Sequence, residues 1–421
     1  MYTECRRINM LSIGLMSGTS MDGIDAALIE TDGKSQIKEL GGISLNYNAD
    51  FKMLLKSAEL AVRTCNGNLE EAKRYYSQAI ESYLTKELKS TDFARFKEFT
   101  FDQIVEQSTN LHADITNSLL KKLNYNPKDI DIIGYHGQTL FHRPSEGITI
   151  QIGDGQLLAK KTNIKVINDF RSNDVKSGGQ GAPFAPLYHL ALAIRDNKYP
   201  IAIVNCGGIA NVTFITGTTY NDIIGFDTGP GNGLIDRLVK QKTNNTEFMD
   251  QDGKYGKKGQ INLEILKLLF QKGVFQQQKN YFDINPPKSL DIDDLKLIEE
   301  LKDIPLSDAC TTLATFTAES IAKSIDYLPK EVVPINWVLA GGGWNNPVIK
   351  DQLTISLQNK IKFTLNIKLA DEINWNSKYM EAQIFAYLAV RSLLDLPISV
   401  PATTKVPKPL SGGRLYTPIT F

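Results

Sequence analysis

The sequence predicts an α/β protein whose two halves face each other across a central cleft. Two observations carry that prediction. A β-hairpin with a turn of small residues, followed by a third strand, occurs twice: in "IGLMSG", "DAALIET" and "GGISLNY", and again in "PIAIVNCGGIANVTFIT" and "TYNDIIGFDTG". Helical and strand-like segments follow each set, and 421 residues are too many for one ordinary core.

In order, the first three strands lead into a mostly helical stretch from Asp50 to about Asn126, where "FKMLLKSAELAVRTC" and "QSTNLHADITNSLLKKL" carry helical periodicity. The charged part between them, within 69–103, reads as solvated surface. "IDIIGYHGQTLF" is a buried strand leaving into a Gly-containing loop, and "GDGQLLAKKTN" is a helix with Asp154 near its N-cap. "IKVINDF" is another buried strand. The second half adds helices around "PLYHLALAIRD", "NLEILKLLFQKG" and "TTLATFTAESIAKSI". It closes with a strand, Gly turn and helix in "NWVLAGGGWNNPVIKDQL". The domains are expected at 1–171 and 172–375, with the C-terminal segment 376–421 returning to the first.

Composition narrows the function. Apolar residues make up 42% and charged residues 22%, which suits a soluble globular chain, and the formal net charge is zero. No basic excess recommends nucleic acid, and no run reaches the roughly 20 apolar residues of a membrane helix. The four cysteines form no CxxC pair, as expected of a reducing compartment, and the start lacks a secretory pattern. Cytoplasm is the expected location.

The opening turn runs Gly18, Thr19, Ser20, Met21, Asp22, Gly23, Ile24, Asp25. Small residues there let a phosphate approach backbone N–H groups. It is not a GxxxxGK[ST] loop, so without that lysine Asp22 or Asp25 could hold Mg²⁺, Asp22 being the metal candidate. An ordinary Gly/Asp turn explains it equally well. The second hairpin turn has the same character at Gly207, Gly208 and Asn211, so the pair could close on one polyphosphate. Gly341, Gly342 and Gly343 follow a buried strand and could let a flat base lie against the backbone.

Asp227 falls at an expected strand end before a Gly/Pro turn, where α/β proteins place chemistry. His136, Gly137, Gln138 and Thr139 occupy another such end and could bind sugar hydroxyls or an amide. His136 and His142 lack metal-site spacing. "NDFRSNDVKSGGQGAPF" offers Asp169, Arg171 and Asp174 before a small-residue loop with Gln180 and Gly181, as a hinge and substrate wall. Glu381 falls inside an apolar helical arc with Met380, Ile384, Phe385 and Leu388, about one turn beyond a candidate cap at Ser377. It either favours the helix dipole or projects into the cleft.

With "GLMSGTSMDGID", "GYHGQT", "NDFRSNDVKSGGQGAP", "NCGGIANVT", "FDTGPGN", "PPKS", "AGGGWNNP" and "MEAQIFAYLA" in this order, the chain resembles the anhydro-N-acetylmuramic acid kinases. The resemblance implies two RNase H-like domains of the sugar kinase/Hsp70/actin superfamily. It implies a reaction in which ATP and water open the 1,6-anhydro ring of anhydro-N-acetylmuramic acid. O6 is phosphorylated, giving N-acetylmuramic acid 6-phosphate and ADP in peptidoglycan recycling. It also implies ATP binding by Gly18–Asp25, Asp227 as the base that activates water, Glu381 as an active-site acid, and a homodimer. Lys176, Cys206, the "PPKSLDIDD" continuation and the long insertion 69–103 depart from the family pattern. Another sugar kinase on this fold, or an actin-like nucleotide-dependent sensor, are the alternatives.

Overall fold

The apolar opening run forms β1 (Met10–Ser17), paired antiparallel with β2 (Gly23–Thr31), which pairs in turn with β3 (Ile37–Asn46). The computed structural model describes residues 9–18, 21–87, 96, 99–276 and 279–418. Three helices follow: α1 (Ala49–Thr64), α2 (Leu69–Glu87) and α3 (Phe101–Leu123). Asn48 caps α1 by accepting from the Phe51 N–H, and Thr100 with Gln103 closes a reciprocal capping box on α3. The solvated surface expected between α2 and α3 lies largely outside the described residues; within it Phe96 is buried.

The helical crossover permits a parallel strand, β4 (Ile132–Arg143), beside β1. Antiparallel β5 (Ile148–Ile152) pairs with its end. Asp154 caps α4 (Gly155–Thr162) through the Leu157 N–H, as expected, and β6 (Val166–Asn168) joins β4 in parallel. The short α5 (Ser172–Lys176) and α6 (Ala185–Arg195) complete this stretch.

The second set begins with the meander β7 (Ile201–Cys206), β8 (Ile209–Ile215) and β9 (Ile223–Pro230). There follow α7 (Gly233–Lys242), α8 (Leu263–Lys272), a small ribbon of β10 (Phe275–Gln276) and β11 (Lys279–Asn280), and α9 (Leu306–Lys323). Strand β12 (Asn336–Ala340) lies parallel to β7, and β13 (Asn366–Leu369), after α10 (Pro347–Lys360), parallel to β12. The chain ends with α11 (Met380–Leu393) and β14 (Arg414–Tyr416), the latter antiparallel to β6.

The sheets run β14-β6-β4-β1-β2-β3 and β13-β12-β7-β8-β9. Counted from each meander, both have the order third, second, first, then two parallel strands, so the repetition of order extends to topology. Each sheet has its own apolar core. The chain divides into one compact unit of 1–195, 379–401 and 406–421, and another of 196–378 and 402–405. The expected division at 171 thus moves to the end of α6, because Tyr188 of that helix donates to Gln383 of α11 at 3.1 Å and holds α6 in the first unit. The return begins at Tyr379 rather than at 376.

One register row places α11. Gly42, Ala27, Gly14 and Gly134 stand side by side across β3, β2, β1 and β4. A Cβ at Gly14 would stand 1.7 Å from the Ala382 carbonyl oxygen, one at Gly134 2.0 Å from that of Phe385, and one at Gly42 2.5 Å from the Tyr379 ring. The row is therefore a trough in which the helix backbone lies directly on the sheet.

Candidate active site

The opening turn is built as much by its neighbours as by any ligand. Met21 is buried with φ 55°, and its N–H donates to the Gly18 carbonyl at 3.0 Å. Gln138 Nε2 donates to the same oxygen at 2.9 Å, and Ser17 Oγ donates to the Gly137 carbonyl at 2.9 Å. A Cβ at Gly23 would stand 2.1 Å from the Leu45 carbonyl oxygen, so β3 alone demands glycine there. Ile24 is core. Thr19 and Ser20 lie outside the described residues.

The acids of this turn are both held. Asp22 is exposed and ion-paired at 2.8 Å to Lys52 of α1. Asp25 is half-buried and accepts from Ser44 Oγ at 2.6 Å. A lysine thus does stand at the turn, supplied by a helix some thirty residues on rather than by the loop, and no local motif signals it.

His136, one of the residues expected to bind sugar hydroxyls or an amide, has partners within the protein. His136 is buried; Nδ1 donates to the Gly137 carbonyl at 2.8 Å, and Nε2 accepts from Arg171 Nε at 3.1 Å. Both ring nitrogens are engaged within the protein, and Phe385 packs on the ring at 4.5 Å. Burial, then the Arg171 charge, holds the imidazole well below its ordinary pKa, so it is neutral. The register of β4 on β1 slips between Leu15 and Ser17, a bulge on which Gly137 takes φ 75°. Gln138 is buried, its Oε1 without a partner among the described residues, and Thr139 Oγ1 accepts weakly from Gln151 at 3.4 Å.

Arg171, one of the polar groups expected in the hinge and substrate wall, is what ties His136 to that loop. Its guanidinium also donates to the Gly181 carbonyl at 2.5 Å and lies over the Phe184 ring. Asp174 is buried and accepts from the Gly181 N–H at 2.6 Å, so it braces the loop that carries half-buried Gln180.

Glu381 sits in the first turn of α11, next to Ala382 in the glycine trough. Ser377 does not cap that helix; its N–H and hydroxyl bond Asp371 instead, and Tyr379 takes the cap position with no side-chain capping bond. Nor does Glu381 share a buried face: α11 is buried almost all round, and Glu381 is its exposed exception. Loss of hydration raises its carboxyl, Asp25 adds to the rise, and Arg171 opposes it. Because water reaches the residue, the hydration lost is that displaced by dense surrounding protein, not a full burial penalty.

In the second unit the glycines lock strands together. Gly207 and Gly208 turn β7 into β8, and their carbonyls accept from the Asn232 and Gly231 N–H groups at 2.8 and 2.9 Å. Gly341 has φ 94° and lies against the Cys206 carbonyl, while Gly343 lies against the Cys206 thiol; Gly342 has open space. Cys206 therefore fills the floor beneath this turn. Asn211 pairs with Asp227 across β8 and β9.

Asp227 lies inside β9, not at its end. The register shifts between Ala210 and Asn211, leaving Thr228 as an extra residue, and the resulting bulge re-aims the strand at this acid. Its N–H donates to the Lys288 carbonyl at 3.0 Å, its carbonyl accepts from the Tyr281 hydroxyl, and Oδ2 accepts from the Leu290 N–H at 2.8 Å. The "PPKSL" segment is thus the support of Asp227. Among the described residues, no group of three His, Cys, Asp or Glu could hold a metal.

The sequence model of the anhydro-N-acetylmuramic acid kinases matches residues 10–96 and 92–418. The chain belongs to this family. Anhydro-N-acetylmuramic acid kinases of Zymomonas mobilis and Nitrobacter winogradskyi are similar to it at 38% and 39% identity, each over 97% of this chain and 100% of the relative. A ROK family glucokinase from Streptomyces griseus, solved with glucose and AMPPNP, aligns with TM-score 0.41 and 11% identity over 90% of this chain and 99% of its own. As a member of the anhydro-N-acetylmuramic acid kinase family, the chain is an ATP-using sugar kinase, built on two sheets with helices. No described helix is long and apolar enough to cross a membrane.

Proposed function

We propose that the chain opens the 1,6-anhydro ring of anhydro-N-acetylmuramic acid with water and phosphorylates O6 from ATP. The observation that carries this reading is Asp227, a half-buried carboxylate on a β-bulge, held at its N–H, its carbonyl and one carboxylate oxygen. A ring-opening kinase needs such a base; an ordinary kinase needs one only for a hydroxyl.

In this reading Asp227 takes a proton from water as its oxygen bonds to C1. The C1–O6 bond breaks, and O6 bonds to the γ-phosphorus as the bond to ADP's oxygen breaks. Sugar, ATP and water thus become N-acetylmuramic acid 6-phosphate and ADP. Residues Gly18–Asp25 would receive phosphates, with Gly207, Gly208, Asn211 and Gly341–Gly343 on the nucleotide. Thr139, Gln138, Gln180 and Gly181 would face the sugar, with His136 and Asp174 fixing their surroundings. Glu381 would contribute a carboxyl whose raised pKa suits holding or passing a proton. Mg²⁺, which supplies charge neutralisation to phosphates, would find Asp22 or Asp25 beside the turn; one carboxylate plus waters and phosphate oxygens suits it without a cluster. A homodimer, a cytoplasmic location and a role in peptidoglycan recycling belong to the same proposal.

The test is ADP release with Mg·ATP and anhydro-N-acetylmuramic acid, with the sugar product weighed. A gain of one phosphoryl group plus one water supports the reading. A gain of phosphoryl alone means an ordinary kinase, and no sugar-dependent ADP returns the chain to the sensor alternative. Asp227→Asn should lose roughly 10²- to 10⁴-fold in turnover while still binding ATP.

A further inference from the structure

The segment from Tyr281 to Leu290 contains a buried cation that the reaction above does not use. Lys288 is 5% exposed. Its Nζ donates to the Tyr281 carbonyl at 3.1 Å and to Tyr327 Oη at 3.1 Å. It also stands 4.4 Å from the centre of the Tyr281 ring and 5.0 Å from that of Tyr327. Among the described residues it makes no ion pair. Burying an ammonium without a carboxylate is costly, and here the Tyr281 ring and two oxygens, one of them the Tyr327 hydroxyl, offset that cost. Burial, with Lys323 of α9 adding and Asp283 opposing, pulls its pKa down to about 8.

Tyr281 and Lys288 of this cage both lead to Asp227. The Tyr281 hydroxyl donates to the Asp227 carbonyl, and the Lys288 carbonyl accepts the Asp227 N–H. Two residues on, Leu290 N–H reaches the carboxylate itself. Tyr327, in the turn after α9, donates to the Ile284 carbonyl at 3.2 Å and so ties the segment to the neighbouring helix. The side chain of Lys288 is the cross-link that closes the segment on itself.

We infer that Lys288 is a positioning residue for Asp227, acting through the cage of Tyr281 and Tyr327 to fix the carboxylate; this rests on the reading of Asp227 as the base. The ammonium is enclosed by the rings, so Lys288 serves the reaction through geometry rather than by touching phosphate or sugar. Leu290 contributes its backbone N–H, which any residue but proline supplies, so this support of the carboxylate does not depend on the Leu290 side chain.

The experiment is a double-mutant cycle on the full chain with Lys288→Met and Asp227→Asn, reading kcat, both KM values and the melting temperature. Lys288→Met should lower kcat by roughly 10- to 100-fold, the scale of a misplaced catalytic group, with both KM values little changed. In the Asp227→Asn background the same change should cost nothing further, because the group being positioned is already inactive. Wild-type kcat in Lys288→Met, or an equal loss in both backgrounds, overturns the inference. If Lys288→Met does not fold, Tyr327→Phe removes one Nζ acceptor while keeping its ring, and should show the same pattern with a smaller loss. Asp227→Asn with wild-type turnover would overturn the base reading first. An inactive Asp227→Asn beside a fully active Lys288→Met would overturn only the role of Lys288.

Discussion

Replacing His112 by phenylalanine should flatten the acid side of the stability profile. His112 lies on α3 with no exposed surface, its ring centre 4.7 Å from that of Tyr135. Nδ1 donates to the Ser108 carbonyl at 2.7 Å, and Nε2 has no partner among the described residues. Protonation would therefore place a second N–H against nothing that accepts it, and burial pushes the pKa down to about 4. The unfolded chain takes up that proton near pH 6.5, so below that value the unfolded state binds more protons than the folded state. The stabilisation is fully present above pH 6.5 and is lost as pH falls toward 4. Between pH 7 and 5 the loss from this one group is about 2 kcal/mol. Phenylalanine keeps the ring contact, and Ser108 keeps its helical N–H partner, so the cost at pH 7 should be small. Urea unfolding of both proteins at the two pH values measures the difference. His136, His142 and His189 are also held low by burial, so the variant retains part of the acid limb. A stability difference between the two proteins that is the same at pH 7 and pH 5 would refute the reasoning.

Three further outcomes follow from the geometry. Gly14→Ala puts a methyl into the backbone of α11 and should destabilise by about 1–3 kcal/mol while lowering turnover through displacement of Glu381; unchanged urea midpoint and kcat would count against the trough. Arg171→Lys keeps a charge but cannot hold His136 and Gly181 together, so amide exchange across residues 172–184 should quicken, and unchanged exchange would show that the loop is held otherwise. Lys52→Met should cost less than about 1 kcal/mol, since its pair with Asp22 is exposed. A raised KM for Mg·ATP in that variant, seen without a change in stability, would place the lysine beside the phosphates.

Much of the architecture was legible because it is local. Alternating apolar runs around Gly turns announced both meanders, and Asp154 announced the start of α4 because a cap needs only its own next three residues. Boundaries were less legible: α6 belongs to the first unit through Tyr188 and Gln383, residues far apart along the chain. The candidate site divides the same way. Asp227, the opening turn and Glu381 stood out as residue types in motifs. That His136 is engaged by Arg171, that Ser377 turns to Asp371, and that Asp227 rides a bulge could not be read from spacing, because each depends on a partner outside its segment.

The sequence by itself determined the family, the repeated order of strands and helices, and the places where only a small residue or an acid stands. Local periodicity and ordered motifs suffice for that, since they are properties of neighbours along the chain. The tertiary structure alone decided what those residues do for one another. It set glycines of three strands in one row under α11, brought Lys52 to the opening turn, and closed an aromatic cage around Lys288 behind Asp227. Register and crossover connections create these contacts, and a pattern read one segment at a time does not contain them.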